Sequence, residues 1–438
     1  MAVPTATVPS DQPRLRRTLG LWPVTISGIG IVLGAGIYVL VGEASADAGS
    51  ATWVAFLAAA VLAAVTGFTF AELAGMFPEA GASAAYAEEA FGSRTGFITG
   101  WLDVTVNVVG AGAVALGFGG YAEALFGWDQ RMVAISSIAV CAVIIYAGVR
   151  ETTGLAMLFA VIEGGGLIVV IAVGLPDLPP PSFFDAPHGI RGILAATALV
   201  FFAYEGFEEM VSLSEETRDP TSTIPRAVLL AVGITSVFYL TVAMIATAVV
   251  PWQELAVSSA PLALVVRTAA NDRLADALSV IALFATFNTV LLLLATGARI
   301  TYGMAHRRLL PGVLAAVSGR GTPWVATLGL SIVAAVFVLS GNIGYVAQVT
   351  TFAVFGQFLA VNAAVIALRR SRRDQVRPFT IRVTVAGAPV TAVVGLAGTL
   401  LFAVFMDRDA LITGAGALAL GCVVSVFVLR GRQASTPT

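Results

Sequence analysis

The sequence predicts an all-α polytopic membrane protein with twelve transmembrane helices. Of its 438 residues, 58% are hydrophobic and only 11% are charged, and the mean hydropathy is +0.91. A soluble domain usually carries about 25% charged residues, so this chain has too few to cover a surface that faces water. Apolar stretches of about 20 residues, long enough to cross roughly 30 Å of hydrocarbon, recur along it. These observations exclude a soluble enzyme, a nucleic-acid-binding protein and a disordered scaffold.

Twelve apolar segments follow a polar, Pro- and Thr-rich start that lacks the apolar core of a signal peptide. Each segment has about the length that a helix needs to cross the bilayer. They lie near residues 22–41, 52–76, 96–126, 132–149, 154–175, 192–213, 225–250, 274–303, 322–339, 343–368, 388–406 and 410–429. Twelve crossings place both termini on the same side of the membrane.

The arginines give the orientation, because positive charge accumulates in cytosolic loops. All 24 basic residues are arginine, and the chain has no lysine. With both termini in the cytosol, nineteen arginines fall on the cytosolic side and five on the opposite side. Those five are Arg131, Arg191, Arg267, Arg273 and Arg408. We therefore predict a multi-pass protein of the cytoplasmic membrane with both termini in the cytosol.

The first segment is interrupted by glycines at positions 28, 30, 34 and 36. Each glycine weakens a helix by about 1 kcal/mol relative to alanine. One interpretation is a discontinuous helix whose bare amides bind an anionic group such as a carboxylate. The other is close helix packing, since Gly30 and Gly34 have the spacing of a small-residue packing motif.

The sixth segment contains Glu205, Glu208 and Glu209 around Gly206. Carboxylates inside a membrane span are costly unless they face a cavity, a partner or a proton. Glu208 and Glu209 also fit the wet cytosolic end of the span, but Glu205 follows enough apolar sequence to lie near the middle. A second broken helix, five spans after the first, is the pairing expected of a transporter with inverted repeats.

Several further features narrow the classes of function that the sequence allows. Cys141 and Cys422 fall in apolar runs and suggest neither a disulfide nor a zinc site, and His188 and His306 form no metal constellation. The net charge of −2 is too small to imply a nucleic-acid partner. No pattern indicates an enzyme or a channel filter. A non-transporting sensor on the same scaffold is the alternative, although a sensor would normally add a soluble output domain.

Short motifs in several spans resemble those of the amino acid–polyamine–organocation permeases. They recur in order between about residues 18 and 370. The matching pieces are Gly34-Ala-Gly-Ile37, residues 71–81 leading to Tyr86, residues 201–226, and residues 298–302 with Leu310-Pro311. Each piece is short, but the combination is specific.

The resemblance implies the leucine-transporter-like fold, in which helices 1–5 and 6–10 form two inverted repeats with discontinuous helices 1 and 6. It implies a cytosolic tail at residues 1–17 and a ten-helix core at 18–370, with repeats at about 18–175 and 190–370. A basic cytosolic link at 371–387, helices 11 and 12 at 388–430, and a tail at 431–438 follow. The implied function is uptake or exchange of amino acids or related amines by alternating access.

Site residues are carried over from the same resemblance. Backbone amides at the first break would bind the substrate carboxylate, freed carbonyls at both breaks would take the ammonium group, and two aromatic rings would shape the pocket or only pack. The amides are those of Gly34, Ala35 and Gly36, the carbonyls those of Val32, Phe202 and Glu205, and the rings those of Tyr204 and Phe207. The expected partners are this small substrate and the lipid bilayer, with the protein a monomer or a homodimer.

The fifth span departs from the family, because Glu163 stands where many sodium-independent members have a lysine. It is open to three interpretations: a carrier of the driving proton, a sodium ligand with Thr289 or Thr286, or a neutral group bonded to Asn288 or a backbone carbonyl. We favour proton coupling. No cofactor is expected beyond the coupling ion, a proton or alternatively sodium.

Glu208 is a further candidate for ion coupling, together with Glu163 and Thr289. Glu205 is a second departure, since apolar residues are usual there in the family. If it faces the pocket, it favours a cationic amino acid or an amine. We expect Glu72 to anchor the cytosolic end of the second helix. Asp103 and Asn107 could line the pathway, but we favour hydrogen bonds between helices for them.

Overall fold

The computed structural model describes residues 17–77, 82–148, 153–178 and 182–434. The predicted N-terminal tail, apart from its last residue, and the end of the predicted C-terminal tail lie outside the described residues. So does part of the second-span motif at 71–81.

The described chain is almost entirely helical, with one short antiparallel hairpin. The α-helices are α1 Leu21–Leu33, α2 Gly36–Ala48, α3 Thr52–Met76, α4 Ala82–Phe91, α5 Ser93–Phe126, α6 Gln130–Ala147, α7 Thr153–Gly174, α8 Gly189–Val200, α9 Pro220–Val249, α10 Trp252–Ala256, α11 Pro261–Ala269, α12 Asp272–His306, α13 Trp324–Val338, α14 Ile343–Ser371, α15 Val390–Ala403 and α16 Arg408–Ala434. The strands are β1 Thr384–Val385 and β2 Ala388–Pro389. The 3₁₀ helices are Gly49–Ala51, Leu175–Asp177, Phe201–Tyr204, Phe207–Glu215 and Gly312–Ala315.

Nine helical stretches of the described residues are long and apolar enough to cross a membrane. Three further apolar helices, α1, α13 and α15, are shorter. A polytopic all-α membrane protein is therefore confirmed as the fold class. The count of twelve crossings stays a prediction, since it depends on these shorter helices and on dividing the stretch Gly36–Met76 between two spans.

Two predicted breaks are present. The first segment divides into α1 and α2, which are separated by Gly34 and Ala35. The sixth segment begins as α8, tightens into the 3₁₀ helix Phe201–Tyr204, and resumes as the 3₁₀ helix Phe207–Glu215. Long 3₁₀ stretches are uncommon and often mark a functional hinge.

The helices around these breaks pack into one bundle and define two faces. α5 packs against α12 and α14, and α3 packs against α9. We call the face where α1 begins the tail face; there Thr18 and Leu19 donate to the carbonyl of Glu216 at 2.9 and 3.0 Å. The opposite face, where α2 ends beside the start of α14, is the far face. Both breaks lie between the two faces.

Glu72 anchors the tail-face end of α3, as the sequence predicted. Its carboxylate is fully buried and accepts from Arg369 Nε at 2.8 Å and from the backbone amide of Ile381 at 2.9 Å. Arg377 Nε lies 3.6 Å from the same carboxylate. The basic link between α14 and α15 is thus tied to the core of the bundle by a buried ion pair.

Candidate functional site

A cavity of about 190 Å³ lies where the two breaks meet. It is lined by the ends of α1 and α2, by the sixth segment, and by side chains of α5 and α12. Six of the eight residues predicted to bind substrate line it: Val32, Gly34, Ala35, Gly36, Phe202 and Glu205. Chain regions about 170 residues apart in sequence therefore form one pocket.

The first wall is the break between α1 and α2. The amides of Ala35 and Gly36 begin α2, where the first N–H groups of a helix have no partner within it. The amide of Gly34 already donates to the carbonyl of Gly30 at 3.4 Å. Gly36 must be small, because a Cβ there would lie 2.5 Å from the Cα of Ala203 in the sixth segment. The glycine lets the two breaks touch.

The second wall is the break at Glu205 and Gly206. Gly206 has a φ of 108°, a left-handed conformation that L side chains rarely adopt, so the glycine makes the turn possible. The Glu208 carboxylate folds back and accepts from the Gly206 amide at 3.1 Å. Glu208 therefore closes the start of the Phe207–Glu215 helix and lines the cavity at the same time.

Tyr239 of α9 joins the two breaks. Its hydroxyl lies 2.6 Å from the carbonyl oxygen of Val32, 3.2 Å from that of Leu33 and 2.9 Å from that of Ala203. One hydroxyl hydrogen donates to one carbonyl at a time, so these oxygens share a single donor. The carbonyls of Val32 and Phe202 both accept bonds in this structure, the latter from the amide of Glu205 at 3.2 Å. Each carbonyl keeps a second lone pair for a ligand.

Tyr204 and Phe207, predicted to shape the pocket or to pack, do not line this cavity. The Tyr204 hydroxyl donates to the carbonyl of Phe56 at 3.1 Å, and its ring meets Tyr239 edge to face at 5.1 Å. The ring of Phe207 packs edge to face on Phe70 at 5.5 Å. In this arrangement both rings are packing residues behind the break.

The three candidate coupling residues lie in two places. Thr289 and Glu208 line the cavity. Glu163 does not; it is 1% exposed in α7, and its backbone carbonyl accepts from the Tyr38 hydroxyl at 2.6 Å. Because α7 packs against α1, Glu163 lies behind the first break rather than in the pocket.

Four carboxylates line the cavity, on Asp103, Glu205, Glu208 and Glu209. The prediction that Asp103 and Asn107 bond between helices is wrong, since Asn107 Nδ2 donates to the Asp103 carbonyl at 2.9 Å within α5. The same Asn107 amide also donates to the Asp103 carboxylate at 3.3 Å, and both residues line the pocket. No arginine lines the cavity among the residues that the structure describes.

The arrangement suits a small zwitterion. Helix-start amides favour an anion, and the freed carbonyls with their neighbouring carboxylates favour a cation. Sequence reasoning missed Tyr239 entirely and gave Asp103 and Glu209 little weight. Polar residues in apolar spans were the available signal, but span sequences do not tell which of them face one another. In the described ranges no group of three or more His, Cys, Asp or Glu side chains is arranged to hold a metal ion.

Known proteins with similar sequences are permeases and transporters. Residues 19–428 match the amino acid permease family. The chain is 31% identical to an uncharacterized transporter of Mycobacterium bovis, covering 97% of this chain and 95% of that protein. It is 27% identical to the branched-chain amino acid permease BcaP of Bacillus subtilis, with 91% and 89% covered, and 28% identical to the methylthioribose transporter of the same organism, with 86% of each covered.

Proposed function

Since the chain belongs to the amino acid permease family, we propose that it is a secondary active transporter that moves amino acids or related amines by alternating access. It is a multi-pass membrane transporter and not an enzyme, as its family and its relatives establish. The substrate class is our proposal, because one of the relatives is named for an amino acid substrate and another for methylthioribose.

The observation that carries the proposal is the meeting of two helix breaks at one cavity. The α2 amides at Ala35 and Gly36 offer donors for a carboxylate, and the carbonyls of Phe202 and Glu205 offer acceptors for an ammonium group. An amino acid carries both groups on one carbon, and the two walls are within a single small pocket. We propose that Tyr239 positions both walls by its hydroxyl.

The proposed topology has twelve crossings, with two inverted repeats of five helices and both termini in the cytosol. In this arrangement α1 with α2 forms helix 1, and α8 with the two following 3₁₀ helices forms helix 6. The arginine asymmetry supports the orientation in the cytoplasmic membrane. The tail face is then the cytosolic face.

The direct test is counterflow in proteoliposomes that contain the purified protein. We expect unlabelled amino acid trapped inside to drive uptake of labelled amino acid from outside, without any ion gradient. Gly36→Val should abolish this exchange, because its side chain would collide with Ala203. Gly233→Ala is the matched control, since no atom lies within 4 Å of a Cβ built there. Absence of counterflow for every amino acid and amine tested would refute the proposal.

We propose that Glu163 carries the coupling proton. A carboxylic acid that is 1% exposed behind the first break can gain or lose a proton as the break opens toward one side and then the other. In proteoliposomes with an imposed proton gradient, the wild type should accumulate substrate. Glu163→Gln should keep counterflow but lose the gradient-driven accumulation.

The control for this variant is Glu123→Gln, which removes an exposed carboxylate near the end of α5. Retained accumulation in Glu163→Gln would remove Glu163 from the coupling role. Accumulation that follows a sodium gradient instead would favour sodium coupling, in which Thr289 is the candidate hydroxyl ligand inside the cavity.

A further inference from the structure

We infer that the basic link between α14 and α15 is a docking surface for anionic phospholipid at the tail face. The occupant is the charged headgroup layer beside which α15 begins, and not a soluble molecule. The inference concerns a surface outside the cavity. It rests on the proposed topology, in which the tail face is cytosolic, and on no property of the substrate.

The link carries a high density of positive charge. Residues 369–382 contain six arginines and a single acid, Asp374. Three of the six arginines meet Glu72 or Glu89. The other three are exposed and form no ion pair with any residue that the structure describes; they are Arg370, Arg373 and Arg382. The link therefore presents positive charge that the described protein leaves uncompensated.

Exposed valines accompany these arginines. Val376, Val383 and Val385 are 80%, 68% and 65% exposed. Val385 lies shortly before Val390, where the apolar helix α15 begins. In the proposed topology α15 enters the bilayer from this point, so the valines of the link lie near the headgroups rather than in bulk water. Arginine heads with apolar neighbours at that level are typical of segments that lie in the membrane interface.

The hairpin of β1 and β2 fixes how two of these valines are presented. The amide of Val390 donates to the carbonyl of Val383 at 3.0 Å, which extends the pairing of the two strands by one residue. Successive side chains of a strand point to opposite faces. Val383 and Val385 therefore share one face of the hairpin, and Thr384 between them points to the other.

The bundle holds the link in place before any lipid binds. Arg369 Nη2 donates to the Ile381 carbonyl at 2.9 Å, and the Ile381 amide donates to the Glu72 carboxylate at 2.9 Å. The ring of Phe379 stacks on that of Phe68 in α3, with 6.4 Å between their centroids. A surface that is already ordered loses little conformational freedom on binding. Lipid bound at the link therefore also supports the tail-face end of α3.

The chemistry of the link favours anionic lipid over other occupants. The cytosolic leaflet carries a negative surface potential that attracts basic segments next to membrane-spanning helices. A zwitterionic headgroup has no net charge to offer the three exposed arginines. An acidic soluble protein would match the arginines, but it would leave the valines of the hairpin at the membrane without a partner. Anionic phospholipid satisfies both groups of side chains.

The test places an environment-sensitive fluorophore on the hairpin of the full-length protein. Val385→Cys is labelled in a chain whose Cys141 and Cys422 are replaced by alanine. The protein is reconstituted in phosphatidylcholine vesicles with or without about 30% phosphatidylglycerol. Both mixtures include lipid with a nitroxide on the upper acyl chain, which quenches a fluorophore that enters the interface. We expect at least about twofold more quenching with phosphatidylglycerol. The same label at Thr384→Cys is the matched control and should show the smaller change, because Thr384 points to the other face.

Removal of arginines tests whether charge drives the docking. Arg373→Gln combined with Arg382→Gln should reduce the quenching at Val385→Cys to its level in pure phosphatidylcholine. Arg191→Gln combined with Arg273→Gln removes two exposed arginines at the far face and should leave the quenching unchanged.

The outcomes separate this inference from the proposed function. Equal quenching in the two lipid mixtures, quenching that excess inorganic phosphate abolishes, or quenching that ignores the loss of Arg373 and Arg382 would each overturn the inference. Absence of counterflow together with lipid-dependent quenching would refute the proposed function alone, since the measurement needs no substrate. Each variant is first checked for a single size-exclusion peak, and Val383→Cys provides the same test if Val385→Cys does not fold.

Discussion

Glu72, at the tail-face end of α3, and Glu205, at the break of the sixth segment, both place carboxylate oxygens inside the bundle, but in opposite surroundings. Glu72 is met by Arg369 and Arg377 and by the amide of Ile381. Glu205 shares its cavity with three other acids, and its Oε2 atom has no hydrogen-bond partner in the described structure.

The difference indicates that the Glu72 carboxylate stabilises the fold, whereas the Glu205 carboxylate keeps an oxygen for a ligand. A buried charge is tolerated when a partner and hydrogen bonds compensate it. For Glu72 the protein supplies both. For Glu205 no described residue bonds to Oε2, so a hydrogen bond to that atom must come from what the cavity binds. The comparison predicts that substitutions at the Glu72 cluster change stability, whereas substitutions at the cavity change transport more than stability.

The largest effect is expected for Glu72→Gln, which leaves two largely buried arginines without their carboxylate. Loss of one partner of a buried ion pair costs about 3–5 kcal/mol. We expect a clear fall in the unfolding temperature, measured by tryptophan fluorescence in detergent. The matched control is Glu89→Gln, which removes the partner of Arg372 in a pair that is about 40% exposed. That exposed pair should be worth about 1 kcal/mol or less.

An equal loss of stability in Glu72→Gln and Glu89→Gln would contradict the contrast drawn between Glu72 and Glu205. It would show that the tail-face cluster is no more than a surface ion pair. A fall in transport without a fall in stability in Glu72→Gln would likewise place Glu72 with the acids of the cavity.

A smaller effect on stability is expected for Tyr239→Phe, which removes the hydroxyl that joins the two breaks. The loss of one buried hydrogen bond costs about 1 kcal/mol. We expect counterflow to fall at least 10-fold, with the larger part in the maximal rate, because the walls lose their common donor. The measurement compares KM and maximal rate with the wild type.

Tyr121→Phe is the matched control for this prediction. Its hydroxyl is also buried and donates to a backbone carbonyl, that of Tyr38, at 2.8 Å. This bond joins α5 to the carbonyl of Tyr38 in α2 and involves no carbonyl at either break. The variant should lose similar stability and keep its transport. Equal transport in the two variants would remove Tyr239 from a positioning role.

The smallest effect on stability is expected for an exposed acid, Asp219, which serves as a third case beside Glu72 and Glu205. Asp219 precedes α9, and hydrogen bonds from Ser222 and then Thr221 lower its pKa from the ordinary value. A lowered pKa in the folded state adds stability above the unfolded pKa of about 3.9, and that stability is lost as the pH falls through the folded pKa. The unfolding temperature of Asp219→Asn should therefore lie slightly below that of the wild type at pH 7, and the two should converge only as the pH falls below the folded-state pKa of Asp219. A constant difference across this range would contradict the assignment.

Much of the site could be predicted from local sequence. Glycine weakens helices wherever it occurs, so four glycines in nine residues mark the first break without reference to any other helix. The same holds for Glu205 and Gly206, because a carboxylate next to glycine within an apolar run is costly in any span. The individual binding residues came from the family resemblance, and six of those eight line one cavity. The roles of the lining residues in binding stay predictions.

The partners of these residues could not be predicted in the same way. Tyr204 and Phe207 adjoin the second break in sequence, yet they point into the packing behind it. Tyr239 is 207 residues from Val32, and its importance is visible only when α9 lies against both breaks. Nothing in the apolar run around Tyr239 distinguishes it from an ordinary packing residue.

By itself the sequence determined the class of protein and the approximate edges of its apolar segments, and it indicated two places where a helix could break. These properties depend on composition, length and local backbone preference. The tertiary structure decided which polar groups face the cavity, which carboxylates are paired, and which hydroxyl joins the breaks. The physical reason is that a helix in a membrane is apolar on nearly all sides, so its hydropathy does not show which side meets a neighbour. Only the packed bundle brings Asp103 to Glu205 and keeps Glu72 away with its arginines.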